Sequence, residues 1–229
     1  MTFHREGVFP EQEPLINGCD NRSAGLERAL VMLRMSGHSG KHDPALTVRR
    51  IFKVNHAGEF GAIRIYGAQI WVARRLFPDI VPALQEMRED EIDHCRLFRE
   101  AMPARNAKPC RVMAFWSLGG FLLGFLTALG GRNMVWICTE AVESTVHRHL
   151  EDQLAFLQTR DPGLHELIAS IQGQELAHLQ EAEKNQTTRG LGHRLLVPII
   201  GFLTELMIWL STWGDSSWMR AEMASSRRV

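Results

Sequence analysis

Four long helical segments of this chain each carry a glutamate in the middle of a stripe that is otherwise mainly apolar. The stripes follow the alternating spacing of three and four residues that defines the buried face of an amphipathic helix. In two segments a histidine follows the glutamate by three residues, so both side chains leave the same face. The six polar stripe residues are Glu59, Glu91, His94, Glu143, Glu175 and His178.

The spacing of these residues indicates an internal repeat. Glu59 precedes Glu91 by 32 residues, and Glu143 precedes Glu175 by the same 32. An offset of 84 residues relates the second pair to the first, and it relates the two histidines as well. The chain therefore contains two copies of one αα-hairpin. Placed face to face, the two copies form a four-helix bundle with the six side chains in its middle.

The chemistry of these six side chains favours a pair of metal ions. A buried carboxylate without a partner is very unfavourable, and such groups are normally paired or bound to a metal. Two divalent cations would neutralise the charge of four ionised carboxylates. One imidazole per ion beside several carboxylates favours iron or manganese, because zinc usually takes more nitrogen or sulfur ligands. Two single glutamates with two Glu-x-x-His pairs are typical of ferritin-like di-iron bundles.

Ordinary surface charge is the alternative interpretation of acids on these helices. It accounts for the acids that lie off the stripes, which are Glu86, Glu89, Asp90, Glu100 and Glu181. Near the stripes, His56 and His147 are predicted not to bind metal, because the first breaks the repeat and the second lies off its stripe. Asp93 is predicted to be a surface residue. His149 is a candidate for contacting the metal ligands or a substrate, with an ordinary core histidine as the alternative.

The sequence as a whole predicts an all-α protein in three parts. No run alternates with a period of two residues, and the Asp-Pro pairs at Asp43 and Asp161 are typical helix starts. We predict a partly disordered N-terminal extension over residues 1–45, a ferritin-like domain over residues 46–213 and a C-terminal tail over residues 214–229. Equal numbers of basic and acidic residues, 26 each, argue against a nucleic-acid partner. Four scattered cysteines without a C-x-x-C pair favour a reducing compartment.

Two apolar segments suit a membrane surface. Residues 112–130 contain no charge after Arg111, and residues 195–213 contain one charged residue, Glu205. Each segment is near the minimum length for a membrane span, but glycines in the first and Glu205 in the second favour helices that lie in the interface. Buried core helices, an oligomer interface and a true transmembrane span are the alternatives. The first residues lack the pattern of a signal or transit peptide, so we expect a peripheral protein on the cytoplasmic face of a bacterial cell membrane.

Four motifs of the chain resemble the demethoxyubiquinone hydroxylases, membrane-associated di-iron monooxygenases of ubiquinone biosynthesis. The motifs are NHAGEFGAIRIYGAQI (residues 55–70), DEIDH (90–94), CTEAVEST (138–145) and QELAH (174–178). The resemblance covers roughly residues 46–213. It implies that the family's ligands fall on the same six stripe residues and that His149 corresponds to a family histidine near the metals. Phe60 and Ala177 stand where some members have a tyrosine and an acid.

The resemblance also implies a reaction. A 2-polyprenyl-3-methyl-6-methoxy-1,4-benzoquinone would be hydroxylated at its unsubstituted ring carbon by an enzyme with two iron ions, using O₂ and two electrons that come ultimately from NADH. The expected partners are the quinone, the membrane surface and a lipid-binding accessory protein, and the apolar surface favours a homo-oligomer. No G-x-G-x-x-G motif follows a strand, so the electron route stays open. The alternatives are a ferritin-like peroxidase, a tRNA hydroxylase and a non-catalytic iron- or lipid-binding membrane protein.

Overall fold

The computed structural model describes residues 43–226. Most of the predicted N-terminal extension and the last three residues of the predicted tail lie outside this range. Within it, seven α-helices are joined by loops and by two short 3-10 turns, and these residues contain no strand. The helices are α1 (Pro44–Leu76), α2 (Val81–Ala101), α3 (Met113–Leu129), α4 (Arg132–Leu157), α5 (Pro162–Asn185), α6 (Leu191–Ser211) and α7 (Asp215–Ser226). The all-α prediction is confirmed.

The two predicted helix starts are also confirmed. Asp43 caps α1 by accepting a hydrogen bond from the Ala45 amide at 3.0 Å, and Asp161 caps α5 by accepting one from the Leu164 amide at 3.0 Å. A proline occupies the first helical position in both cases, where the missing amide costs nothing. These caps fix the residues at which two of the four bundle helices begin.

The predicted hairpins pair α1 with α2 and α4 with α5. Two apolar layers fill the bundle, and each of the four helices contributes to both. The layers contain Phe52, Phe98, Leu150 and Ile168 on one side and Tyr66, Leu84, Trp136 and Ala182 on the other. In every helix the stripe glutamate lies seven residues, about two turns, from both of these layer residues. The four glutamates are therefore enclosed between two apolar layers.

α3 packs directly against the backbone of α1. A Cβ atom on Gly120 would lie 2.6 Å from the Gly61 carbonyl oxygen, and one on Gly124 would lie 2.2 Å from the Ile65 carbonyl oxygen. Carbon and oxygen atoms do not approach this closely without a bond, so only glycine permits the contact. The same glycines that make α3 a weak candidate for a membrane span allow it to pack closely against the bundle.

Gly124→Ala is expected to lower the free energy of unfolding by about 1–3 kcal/mol, because the added methyl group forces α3 away from α1. Gly173→Ala is the matched control, since Gly173 is exposed within α5 and a Cβ there meets nothing within 4 Å. Alanine is the better helix former, so the control is expected to stabilise the protein by roughly 0.5–1 kcal/mol. Denaturant unfolding measures both changes. Equal stability of the two variants would contradict the close contact.

α6 is the one helix in the described residues that is long and apolar enough to cross a membrane, with a mean hydropathy of 1.5 over Leu191–Leu210. Glu205, in the middle of its apolar stretch, faces the protein. The Glu205 carboxylate lies 2.8 Å from His149 Nε2 of α4 and accepts a hydrogen bond from Arg220 of α7 at 2.9 Å. On the same side, Ile200 and Ile208 are buried against the bundle. These contacts attach one side of α6 to the protein.

α3 and α6 are neighbours, because a Cβ atom on Gly119 would meet the side chain of Met207. We call their outer surface the apolar face, and it comprises Phe115, Leu118, Phe121, Leu122 and Leu126 of α3 with Leu195, Ile199, Phe202, Leu203 and Leu210 of α6. Between 42% and 66% of each of these residues is exposed. A contiguous surface of this kind marks contact with a membrane or another protein.

Residues 215–226 of the predicted C-terminal tail form α7. Met219 and Met223, four residues apart, are buried in the bundle core. Asp215 at the start of α7 accepts a hydrogen bond from Arg50 of α1 at 3.2 Å and pairs with Lys53. Two buried methionines are too few to show a helical period in the sequence. The helix is stabilised instead by packing against α1 and α4.

Candidate metal centre

The structure brings the six stripe residues together between the two apolar layers. α1 contributes Glu59 and α4 contributes Glu143, while the two Glu-x-x-His motifs lie on α2 and α5. The exposed fraction of all six residues is only 1–5%. The predicted convergence of six polar side chains in a dry interior is therefore observed.

The six side chains form two overlapping groups. Within each group, one potential ligand atom from every residue lies within 4.8 Å of the others. The first group contains Glu59, Glu91, His94 and Glu175, and the second contains Glu91, Glu143, Glu175 and His178. Glu91 and Glu175 belong to both groups. Two carboxylates that belong to both of two adjacent groups are suited to a pair of neighbouring cations.

The hydrogen bonding of these atoms is consistent with bound cations. Both oxygens of Glu91 and of Glu175 are buried and have no hydrogen-bond partner among the described residues. The Nδ1 atoms of His94 and His178 are also buried and unpaired there. Buried polar groups normally have partners, and each such group left alone costs free energy. Six unpaired atoms that converge on one place therefore fit two metal ions.

Each histidine is held by a residue of the opposite hairpin. His94 Nε2 lies 3.0 Å from the amide oxygen of Gln174, and His178 Nε2 lies 3.0 Å from the carboxylate of Asp90. Gln174 Nε2 in turn donates to Asp90 Oδ1 at 3.4 Å, which fixes the orientation of the amide. Because both partners accept, each Nε2 atom carries a proton, and each Nδ1 atom faces the centre, where its lone pair can bind a cation once that nitrogen has lost its own proton.

The prediction that Asp90 is an ordinary surface acid is therefore wrong. Gln174 follows Asp90 by the same 84 residues that relate the two hairpins, and each residue directly precedes a stripe glutamate. This repeat was the signal that could have identified both residues. Asp93, by contrast, is exposed and pairs with Arg96 at 3.4 Å, as its prediction as a surface residue requires.

Tyr66 is a residue of the site that sequence reasoning missed. Its hydroxyl donates a hydrogen bond to Glu143, and only 2% of the residue is exposed. Ala62, Ile65, Thr139 and Val142 pack beside it and leave only a narrow gap with no room for a water molecule. Ile65 and Val142 also belong to a cluster of apolar side chains that α1, α4 and α6 share.

Burial controls the protonation of the centre. It raises the pKa of Glu59 and of Glu143 well above the ordinary value, and the neighbouring carboxylates raise both further. Burial lowers the pKa of the histidines, but the close carboxylates of Glu175 and Glu91 outweigh it, so the pKa of His94 rises to about 10 and that of His178 to about 12. Without cations the centre holds protons. Metal ions must displace them, so their binding is favoured by a higher pH.

The other histidines near the stripes lie outside both groups of potential ligands. His149 is buried and contacts Glu205, and its Nδ1 atom has no hydrogen-bond partner among residues 43–226. His56 is buried, and burial lowers its pKa. His147 lies 3.4 Å from Glu151 on the surface of α4.

Comparison with known proteins gives one family. Residues 46–211 match the protein-family model described as "Ubiquinone biosynthesis protein COQ7". The chain is 34% identical over 193 residues to the Homo sapiens protein named "NADPH-dependent 3-demethoxyubiquinone 3-hydroxylase, mitochondrial", which covers 82% of this chain and 88% of the relative. It is 31% identical over 172 residues to the "3-demethoxyubiquinol 3-hydroxylase" of Rhodospirillum rubrum, covering 75% and 81%. The Saccharomyces cerevisiae "5-demethoxyubiquinone hydroxylase, mitochondrial" is 29% identical over 175 residues, covering 70% and 75%.

Proposed function

Because this chain belongs to the COQ7 family of ubiquinone biosynthesis proteins, we propose that it is a monooxygenase that hydroxylates a demethoxyubiquinone, the reaction for which its relatives are named. The substrate is a benzoquinone with a polyprenyl tail. One oxygen atom of O₂ replaces the hydrogen on the unsubstituted ring carbon, and the other leaves as water after two electrons and two protons are supplied. The observation that carries the proposal is the pair of buried ligand groups that share Glu91 and Glu175.

The six stripe residues would hold two iron ions. Glu59 and His94 would hold the first ion and Glu143 and His178 the second, while Glu91 and Glu175 belong to both groups and could serve either ion. When bound, the iron ions supply the redox chemistry that activates dioxygen. The reducing equivalents come from a nicotinamide cofactor, which the names of the mammalian relatives give as NADPH.

The protein's own side chains orient the ligands and exclude water. Gln174 and Asp90 hold the two imidazoles by their Nε2 atoms, so that each Nδ1 atom stays available to an ion. The apolar layers keep bulk water from the centre. Tyr66 holds a proton at the carboxylate of Glu143. The quinone ring approaches from the side of Ala62, Ile65 and Val142, whose apolar side chains suit it, and the narrow gap beside Tyr66 must widen to admit it.

The apolar face supports attachment to a membrane, from which a polyprenyl quinone must be taken. Apolar residues at the outer surface of α3 and α6 favour helices that lie in the interface. Glu205 favours the same position for α6, because its contacts with His149 and Arg220 keep one side of the helix on the bundle. We therefore propose a peripheral protein on the cytoplasmic face of a bacterial cell membrane. A lipid-binding accessory protein and self-association are further proposals for the same surface.

Family membership favours the quinone hydroxylase over the ferritin-like peroxidase, the tRNA hydroxylase and the non-catalytic alternative. The test is to reconstitute the purified protein with ferrous iron and to supply demethoxyubiquinone, a nicotinamide reductant and isotopically labelled dioxygen. We expect about two irons per chain and a product that gains one labelled oxygen atom, as measured by mass spectrometry. Iron-loaded protein that forms no such product under these reducing conditions would overturn the proposal.

A further inference from the structure

A second concave site lies on the outside of the bundle, in a groove of about 270 Å³ between α1 and α2. Gly67, Ile70, Trp71 and Arg74 line it from α1, and Gln85 and Arg88 line it from α2. The six stripe residues that form the metal centre do not line this groove. Its chemistry is different as well, because its charged side chains are mainly basic.

The two arginines of the groove form no ion pair with another residue in the described part of the chain. Arg88 Nε is buried and has no hydrogen-bond acceptor among the described residues. It lies 3.5 Å from the position that a Cβ atom on Gly67 would occupy, an ordinary van der Waals distance, so the guanidinium passes close to the backbone of α1. Arg74 is exposed on the opposite wall and forms no ion pair with any residue in 43–226. Glu89 also lines the groove but does not pair with either arginine.

Unpaired guanidinium groups that face one cavity are suited to a phosphate group. The planar guanidinium offers parallel N–H donors that match two phosphate oxygens, and a buried N–H without an acceptor gains most from an incoming anion. The Gln85 amide provides a further donor. Two positive charges against one negative charge leave the groove with a net attraction for anions.

The groove lies at the edge of the apolar face. Trp71, which is 54% exposed, contacts Phe125 of α3 with ring centroids 5.9 Å apart. Phe125 in turn stacks on Phe121 of the apolar face, also at 5.9 Å. Arg75 lies over the Trp71 ring at 4.9 Å. Tryptophan and arginine beside an apolar surface are typical of the headgroup region of a membrane interface.

We propose that this groove, with Arg74 and Arg88 as its anchors, is a binding site for a phosphate group. Two sources carry the required chemistry, which are the headgroup of an anionic phospholipid and the phosphate of a soluble dinucleotide. The proposal concerns binding alone. Its test is independent of the proposed hydroxylation, because a measurement of phosphate binding needs neither iron nor turnover.

The test compares the full-length protein with the double variant Arg74→Gln/Arg88→Gln in two binding assays. The first is co-sedimentation with vesicles of phosphatidylcholine containing phosphatidylglycerol, and the second is calorimetric titration with NADPH. The control Arg49→Gln/Arg96→Gln removes the same charge from α1 and α2, but its arginines already pair with Asp43 and with Asp93 and Glu100. Arg74→Gln alone is included because this exposed side chain is not needed for folding.

Relative to the control, we expect the double variant to lose roughly tenfold or more in binding, since each basic residue near an anionic surface contributes about 1 kcal/mol. A loss confined to the vesicles identifies the phosphate as that of a lipid, and a loss confined to the titration identifies it as that of a dinucleotide. If the double variant and Arg74→Gln match the control in both assays, the phosphate site is refuted.

Discussion

Glu175→Ala is expected to empty the metal centre and to lower hydroxylation by roughly 10³-fold or more, because lost metal catalysis is equivalent to several kcal/mol of barrier. Glu175 is one of the two residues, with Glu91, that both groups of potential ligand atoms share. Its carboxylate lies 3.1 Å from His94 Nδ1 and 3.6 Å from His178 Nδ1. Its removal would therefore take a potential oxygen ligand from both ions, whereas the loss of Glu59 would affect one ion only.

The matched control for this change is Glu166→Ala. Glu166 lies on the same helix but is exposed and belongs to neither group of ligand atoms. Elemental analysis of both variants after reconstitution with ferrous iron gives metal content, and quinone turnover gives activity. Full iron content and unchanged turnover in Glu175→Ala would contradict the assignment of the shared carboxylates. Circular dichroism separates loss of metal from loss of the helical bundle.

The six-residue centre could be predicted from sequence because two independent regularities agree. Helical periodicity places the stripe residues on one face, and the 84-residue repeat relates one hairpin to the other. Neither regularity depends on the exact rotation of each helix about its axis, provided that the apolar stripes face inward. The layer residues at seven positions before and after each glutamate reinforce the same orientation.

The residues that support the centre could not be predicted in the same way. Asp90 holds His178 across the bundle, and Tyr66 of α1 donates to Glu143 of α4. Both contacts join different hairpins, so they depend on the rotation and the axial register of helices that are distant in sequence. Tyr66 also fits an apolar stripe, because most of its surface is an aromatic ring whose hydroxyl needs a partner only when buried. For Asp90, the only signal in the sequence was the 84-residue repeat that relates it to Gln174.

The side of α6 that packs against the bundle could not be predicted from the sequence for a similar reason. Glu205 looks like an interruption of an apolar segment when the sequence is considered alone. In the structure its partners are His149 of α4 and Arg220 of α7, and α7 lies where the sequence predicted only a tail. A charge that faces the protein leaves the opposite side of α6 mainly apolar, with Arg194 exposed in its first turn, which strengthens the case for an interfacial helix.

The triple variant Leu195→Gln/Ile199→Gln/Phe202→Gln is expected to release the protein from membranes. These residues are spaced at i, i+4 and i+7 on α6, and between 52% and 62% of each is exposed. Burying such a side chain completely contributes about 1.5–3 kcal/mol, so burying the exposed half of three contributes roughly 3 kcal/mol. This corresponds to a partition coefficient lower by about 100-fold. Vesicles of pure phosphatidylcholine are the appropriate surface, because they carry no net charge and isolate the apolar contribution.

Ile92→Gln/Leu176→Gln is the control for general loss of surface hydrophobicity, since these residues are 40% and 39% exposed on α2 and α5 and lie outside the apolar face. It should sediment with vesicles as the unaltered protein does. Equal sedimentation of the triple variant would mean that α6 does not contact lipid. Alkaline carbonate separates the remaining alternatives, because it removes a protein held at the interface but not one that spans the bilayer. With Glu205 bound to the bundle, we expect complete removal, since inserting α6 across the membrane would break the contacts of Glu205 with His149 and Arg220.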